Sequence, residues 1–410
     1  MAKTAADIRK QNSFAVIRSL HASGVSSRRE LAESTGLSLA TVGLICTALT
    51  EQGLVTEVCR NRAPVGRPTT RLALNGGRGL LLGVDIAETY VHAVSFGSSL
   101  ESISQTLRPM DVHQRQPRHV VEIVQGAVLA EIGQHPDMPL LGIGVSAPGI
   151  VDFVGGTSAF APNWNWRNVP LLDLLTRAID GPIYLDNPLK ALTIAQMWSN
   201  RDRLEQTFAI LNLGTGVGAG IAVNGEVFRG RTNSAGEWGH TVIVADGRAC
   251  RCGSRGCVEA YVGAPGILQT LRETHPTSEL LHGDDQTATI VALGEAAGRG
   301  DPVALDVLNN TSHYLGIGVA TIVNLFNPDV VIIAGWVADQ IGAYLTDLVR
   351  PHLKAHALAV PLLASRLELS KAQPNSVSLG MAALALERYL DSIAEPASDS
   401  TQDITIRKLG

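Results

Sequence analysis

A chain of 410 residues with 45% hydrophobic and 17% charged side chains exceeds one ordinary core and is too apolar to be disordered, so two to three folded domains are expected. No apolar run reaches the roughly 18 to 20 residues that span a bilayer; the best, Gly316 to Gly335, is broken by Asn324, Asn327, Pro328 and Asp329. The net charge of -5 is uneven, with ten Lys/Arg against five Asp/Glu in residues 1 to 71 and a strongly acidic remainder, so the head is expected to meet a polyanion.

The N-terminus lacks the apolar stretch of a secretion signal, which makes the cytoplasm the expected location. Phe14, Val16, Ile17 and Leu20 then fall at helical spacing, and the run stops near Gly24. Ser26 and Ser27 precede a second helix, RRELAEST, with Glu30 placed three residues after Ser27 as in a capping box. Gly36 ends that helix, and Ser38 caps a third that carries Val42, Ile45 and Leu49. Two short helices joined by a tight turn predict a helix-turn-helix whose third helix of the head enters a major groove.

Beyond Gly53 the pattern predicts two strands flanking an arginine-bearing loop, so residues 1-75 read as a winged helix-turn-helix that binds double-stranded operator DNA. The third helix has no Arg or Lys. Ser38, Leu39 and Thr41 are therefore expected to offer hydroxyl and apolar contacts to bases. Arg28 and Arg29, with Arg60, Arg62 and Arg67 of the wing, are expected to supply the phosphate affinity. Arg67, between Gly66 and Pro68, suits a minor groove. The competing reading is a winged helix that docks a protein.

From Leu80 the texture changes to apolar strands, glycine turns and amphipathic helices, which predicts an α/β body of two units around a cleft. Cys250, Cys252 and Cys257 place three thiols within eight residues, with His240 ten residues before the first. Three thiolates and one imidazole form the closed tetrahedral set that structural zinc prefers, so Zn2+ is the expected cofactor. A disulfide is the alternative, which a cytoplasmic setting disfavours. Cys46 and Cys59 read as packing residues of the head.

From about Gly83 to about Leu384 the body resembles the ROK family (repressors, open reading frames and sugar kinases) of the actin-like ATPase superfamily. The resemblance is most specific over residues 234 to 261, SAGEWGHTVIVADGRACRCGSRGCVEAY. The head, with its GRP and LALN segments, looks like the DNA-binding extension of ROK repressors. The resemblance implies a two-lobed sugar-kinase-like frame: lobe 1 over 80-200, lobe 2 with the zinc loop over 201-394, a C-terminal helix packing back on lobe 1, and a tail over 395-410. It also implies a sugar-binding set of Asn163, Asn187, Glu237, His240 and Glu259, lined by the turn from Ser146 to Gly149. Trp164, Trp166 and Trp238 either stack on a sugar or pack in the core. Family regulators are homo-oligomers, so a homodimer or homotetramer is expected.

The phosphate-handling side departs from the family kinases. Their first loop reads Asp-x-Gly-Gly-Thr-Lys, where glycines let backbone amides approach phosphate; here it is Asp85-Ile86-Ala87-Glu88-Thr89-Tyr90. Glu88 is expected to bring negative charge towards the nucleotide phosphates. Counting from Pro182 sets Pro188 where the resemblance puts the catalytic Asp, and proline accepts no proton; Asp186 would substitute only if the strand slipped. Ala334-Gly335-Trp336 replaces a glycine pair, whereas the Gly214 to Gly218 loop survives. The reading is therefore a sugar-responsive transcriptional regulator, a repressor without catalytic residues and without a membrane partner. The alternatives are an active ROK-type sugar kinase with a regulatory head, and a regulator that answers to a protein.

Overall fold

The computed structural model describes residues 5–61, 69–199, 206–370 and 375–394. Its N-terminal part comprises α1 (Ala5–Ser23), β1 (Ser26–Ser27), α2 (Arg28–Thr35), α3 (Leu39–Glu51), β2 (Val55–Asn61) and β3 (Thr69–Leu74). Both halves of the capping box form at α2: the Ser27 hydroxyl accepts from the Glu30 amide at 3.2 Å, and the Ser27 amide donates to the Glu30 carboxylate at 2.7 Å. Gly36, at φ 69°, ends α2 in the left-handed region that a side chain disfavours. The chain turns by 118° between α2 and α3, and β1, β3 and β2 close an antiparallel sheet beside them. Val16, Leu20, Leu31, Val42 and Leu72 are buried where these elements meet. Arg62 and Arg67 lie outside the described residues, and Arg60 is described by its backbone alone.

The body carries two five-stranded sheets. The first is built from β4 (Leu80–Ile86), β5 (Tyr90–Gly97), β6 (Ser102–Pro109), β7 (Leu140–Ser146) and β11 (Ile183–Asp186), in the order β11-β7-β4-β5-β6. Between these strands come α4 (Pro117–Gln134), a small sheet of β8 (Ile150–Asp152), β9 (Thr157–Ala161) and β10 (Trp166–Val169), and α5 (Leu171–Ala178). Helix α6 (Pro188–Ser199) follows and leads to the second sheet.

The second sheet comprises β12 (Phe208–Leu213), β13 (Val217–Val223), β14 (Glu226–Val227), β15 (Val330–Ala334) and β16 (Arg366–Leu369), in the order β14-β13-β12-β15-β16. The remaining helices are α7 (Glu259–Val262), α8 (Ala264–Thr274), α9 (Gln286–Gly298), α10 (Pro302–Phe326), α11 (Trp336–His356), α12 (Ala359–Ala364) and α13 (Ser376–Ala394). Among the described residues no single helix is long and apolar enough to cross a membrane.

Strand β4 reads as an apolar run interrupted only by Asp85, because both its faces are covered. Leu81 packs with Met381 of α13, whereas Leu82 and Val84 pack in the cluster with α4. Helix α13 lies so close that a side chain at Gly83 or Gly144 would collide with the carbonyls of Ser378 and Met381. Helix α6 is central to the body: Leu192 and Met197 pack on Phe208 and Ile210 of the second sheet, while Ala191 and Ile194 join the cluster around α13. The same cluster takes in α1, whose His21 ring meets Trp198 of α6 edge-on at 5.6 Å. Lys10 pairs with Asp391 at 2.6 Å, and Arg18 lies 3.9 Å from Glu387, so the head rests on α6 and α13 together.

Candidate functional site

His240 ends a short turn over Trp238–His240, and the chain beyond it folds back through bridges between Val242 and Cys257 and between Ala249 and Arg255. Gly253 and Gly256, with positive φ, supply the tight reversals that the cysteine spacing requires. The result gathers the ligand atoms of His240, Cys250, Cys252 and Cys257 within 4.8 Å of one another. Cys252 and Cys257 sulfurs are 3.7 Å apart, and Cys250 Sγ is 3.6 Å from His240 Nδ1. A disulfide needs sulfurs near 2.05 Å, so these are free thiols. Burial pushes the Cys250 thiol up to about 12 and raises Cys257 as well. A cation among them reverses that preference, because thiolate binds it. The cluster could therefore hold a metal ion.

Glu259 opens α7 two residues after the last cysteine. Its Oε2 accepts the Val217 amide at 3.0 Å, and its Oε1 lies 3.2 Å from Arg251 Nη2. A side chain at Gly216 would meet this carboxylate at 3.7 Å and the Asn163 amide at 3.9 Å. Asn163 and Glu259, nearly a hundred residues apart, therefore converge on one glycine turn. Glu237 stands 3.9 Å from His240 Nε2; burial raises its pKa, against the pull of the His240 and Lys190 charges. Asn187 heads α6, where its Oδ1 accepts the Lys190 amide at 2.9 Å. The buried Lys190 ammonium donates to the Ala235 carbonyl, which brings the first turn of α6 against the strand of loop leading to Glu237. The three tryptophans are core residues: Trp238 donates to the Gly318 carbonyl at 2.9 Å and Trp166 to the Arg115 carbonyl at 2.8 Å, and Trp164 is buried beneath Arg115. The indole N–H groups of Trp166 and Trp238 are thus spent on protein, not on a bound sugar.

Glu88 is held by two partners that the sequence did not name. Its Oε1 accepts the Asn163 amide at 3.0 Å and its Oε2 lies 3.7 Å from Arg115, whose guanidinium also donates to the Glu88 carbonyl at 2.8 Å. The charge is thus drawn to the Asn163 wall of the cleft, next to a cavity of about 330 Å³ lined by His113, Arg115, Gln116, Asn163, Trp164 and Asn165. Nothing in the sequence around Glu88 named this partner, because the pair is separated by 75 positions and is made by the sheet.

Tyr90 donates to Asp85 at 3.5 Å, and burial pushes Asp85 up to about 6. Pro188 is the first residue of α6, and Asp186 before it is fully buried. Its carboxylate takes Arg229 on one oxygen and the Asn233 and Asn187 N–H groups, at 3.0 and 2.9 Å, on the other. A slipped strand that frees Asp186 is therefore not what forms. The Trp336 indole stands over Gly214, 3.1 Å from where a side chain there would begin.

On the head, the Ser38 hydroxyl caps α3 by accepting the Thr41 amide at 3.1 Å and lies 2.9 Å from the Thr41 hydroxyl. Leu39 and Leu44 are 58% and 76% exposed on the same helix. Arg29 pairs with Glu33 at 3.0 Å on the surface. Arg71 is bound inward, to Glu30 and the Val25 carbonyl.

The profile of the ROK family matches residues 81–388. The chain is 27% identical over 389 residues to the xylose repressor of Caldicellulosiruptor bescii, covering 93% of this chain and 97% of that protein. It is 30% identical over 284 residues to the glucokinase of Halalkalibacterium halodurans, covering 68% of this chain and 86% of the kinase. Among solved structures, a ROK family transcriptional regulator described as a homologue of the E. coli MLC protein superposes with a TM-score of 0.78 at 24% identity, over 95% of this chain and all of the other.

Proposed function

This chain belongs to the ROK family, and we propose that it is a sugar-responsive, DNA-binding transcriptional repressor whose kinase-like body is a receptor and not an enzyme. The similarity to a xylose repressor runs through the head as well as the body, whereas the similarity to a glucokinase covers only 68% of the chain. The head, residues 1-75, binds operator DNA as a winged helix-turn-helix, with Arg28, Arg29, Ser38, Leu39, Thr41 and the wing arginines Arg60, Arg62 and Arg67 at the contact. The chain works in the cytoplasm as a homodimer or homotetramer, so that two heads read two half-sites.

A sugar or sugar derivative binds between Asn163, Asn187, Glu237, His240 and Glu259, because fixed acceptors and donors are what hydroxyl groups require. The metal is structural zinc. Tetrahedral edges built on zinc bond lengths are about 3.8 Å between sulfurs and about 3.6 Å between sulfur and nitrogen, which matches the 3.7 and 3.6 Å separations here. Zinc holds the thiolates ionised and the loop closed; His240 and Glu259 then face the cleft from that loop.

The observation that carries the reading is the course of α6. Its first turn holds Asn187 and Lys190 at the cleft, and its last turn packs Trp198 against His21 of the head. One helix thus joins ligand site and head, and a ligand that favours one lobe arrangement moves the head by no more than its differential affinity allows. The test is selection of bound sites from random duplex DNA, followed by binding with and without a panel of monosaccharides and their phosphates, xylose first. No DNA retained at any salt would overturn the reading. ADP release with any sugar would favour the kinase alternative.

A further inference from the structure

We propose that His313, His352 and His356 form a second metal site, on the outer surface of α10 and α11, that takes a divalent transition-metal ion such as zinc, nickel or copper. Three of the chain's eleven histidines meet there. His313 Nδ1 is 3.4 Å from His352 Nδ1, with ring centroids 5.0 Å apart and planes at 84°. The His356 ring lies 6.3 Å from that of His313.

Each feature favours metal over a merely structural cluster. His352 and His356 are one helical turn apart, the i, i+4 spacing that puts two imidazoles on one helix face and serves zinc in helical metal sites. In a tetrahedral site with zinc–nitrogen bonds of about 2.05 Å, coordinating nitrogens are about 3.3 Å apart, so the His313–His352 pair already stands at ligand spacing. His356 completes the set by rotating its side chain, an exposed motion at the end of α11 that takes picoseconds to nanoseconds.

Among the described residues no carboxylate pairs with any of the three rings; their side-chain neighbours are one another and the Tyr314 ring, 5.1 Å from His313. His313 and His352 share a hydrogen bond between their Nδ1 atoms, whose proton an ion would replace, and imidazoles free of carboxylate partners suit zinc, copper and nickel because the neutral ring leaves a lone pair for the ion.

The site is separate from the cysteine cluster but is not remote from its supports. Helix α10 also carries Gly318, whose carbonyl holds Trp238, and Tyr314, whose ring packs on Tyr261 at 4.1 Å. A metal that ties α10 to α11 would therefore brace the helix on which the effector loop rests.

The test is a cobalt(II) titration of untagged, metal-stripped full-length protein. Cobalt bound to thiolates gives intense near-ultraviolet charge-transfer bands, whereas cobalt held by imidazoles alone gives only weak visible bands. Wild type should take a second equivalent without added charge transfer, and a His352→Gln/His356→Gln variant should lose that equivalent while keeping the first. Gln at 352 keeps the Cβ that packs on Gly316, and His356 is exposed; an unchanged circular-dichroism melt would show that the fold survives. A single thiolate-bound equivalent in wild type, or a second equivalent that persists in the variant, overturns the proposal. A single equivalent without charge transfer would support the histidine site and overturn the cysteine one.

Discussion

The two sides of the cleft have been treated differently by this sequence. On the metal-loop side, Glu237 stands beside His240, and Asn163 and Glu259, though held by neighbours, still converge on the open turn at Gly216. On the side where a kinase handles phosphate, the groups are occupied with one another: Tyr90 with Asp85, Arg229 and Asn233 with Asp186, Trp336 over Gly214. Polar groups that are satisfied internally have little left for a ligand. Asn163 and Glu259 also carry protein partners, so the two sides differ in that this pair converges on one open turn and not in pairing alone. In the proposed reading, the first side is the receptor and the second has become its frame.

The largest effect should come from removing the metal cluster that supports the first side. Cys257→Ser leaves three ligands, and structural zinc supplies on the order of 10 kcal/mol to the folding of small metal-bound segments. Metal content should fall from one equivalent in this loop to none, with thiols newly open to alkylation. Effector binding should vanish with it, while the head keeps its DNA affinity. Intact sugar binding in the metal-free variant would break the comparison, because the loop would then hold Glu259 unaided.

These features were legible in the sequence to different depths. The capping box at Ser27 and Glu30, the stop at Gly36 and the cysteine cluster use residues close together in the chain, so spacing alone carries the geometry. Asn163 and Glu259 were named only through family resemblance, since no local pattern brings distant positions together. The Glu88–Asn163 contact was not foreseen because the direction of a loop side chain depends on what stands across the cleft, here Arg115 as well. The tryptophans were ambiguous for a related reason: an indole is as suited to stacking as to burial, and only the partners of its N–H decide.

The next effect concerns Asp85, on the occupied side. Burial raises its pKa from 3.8 to about 6, so the folded state binds its proton more tightly than the unfolded chain. Its favourable contribution is complete below pH 3.8 and is lost as pH rises through about 6. At neutral pH the ionised carboxylate therefore lowers stability by about 3 kcal/mol. Asp85→Asn carries no such charge and should be the more stable protein at pH 7.5, with its advantage shrinking as pH falls towards 4.5. Paired urea melts of the two proteins at both pH values check this; a constant gap would mean that Asp85 is not buried as a carboxylate.

Glu259→Gln probes the receptor side more gently. Glutamine still accepts the Val217 amide but loses the charge opposite Arg251. Hydrogen bonds to charged groups contribute about 1.5 to 3 kcal/mol, so effector affinity should fall between roughly tenfold and a hundredfold while metal content and DNA binding hold. Calorimetry with whichever monosaccharide the panel identifies would measure it. A drop in metal content would shift the role of Glu259 from ligand contact to loop support.

The smallest effect is expected from the substitution that looks most consequential, Pro188→Asp. It restores an acid where the resemblance puts the catalytic base, and if that were all the cleft lacked, phosphoryl transfer would return. The surroundings argue otherwise. Glu88 stands in the first loop in place of a glycine, with its carboxylate already engaged by Asn163 and Arg115. The Trp336 indole overhangs the Gly214 turn. Catalysis of phosphoryl transfer rests mainly on positioning and electrostatic stabilisation of the phosphates, and one carboxylate supplies neither. A coupled ADP-release assay of Pro188→Asp over the sugar panel should therefore match wild type at background, and turnover above background would mean that the two sides of the cleft differ by a single residue and not by a rebuilt wall.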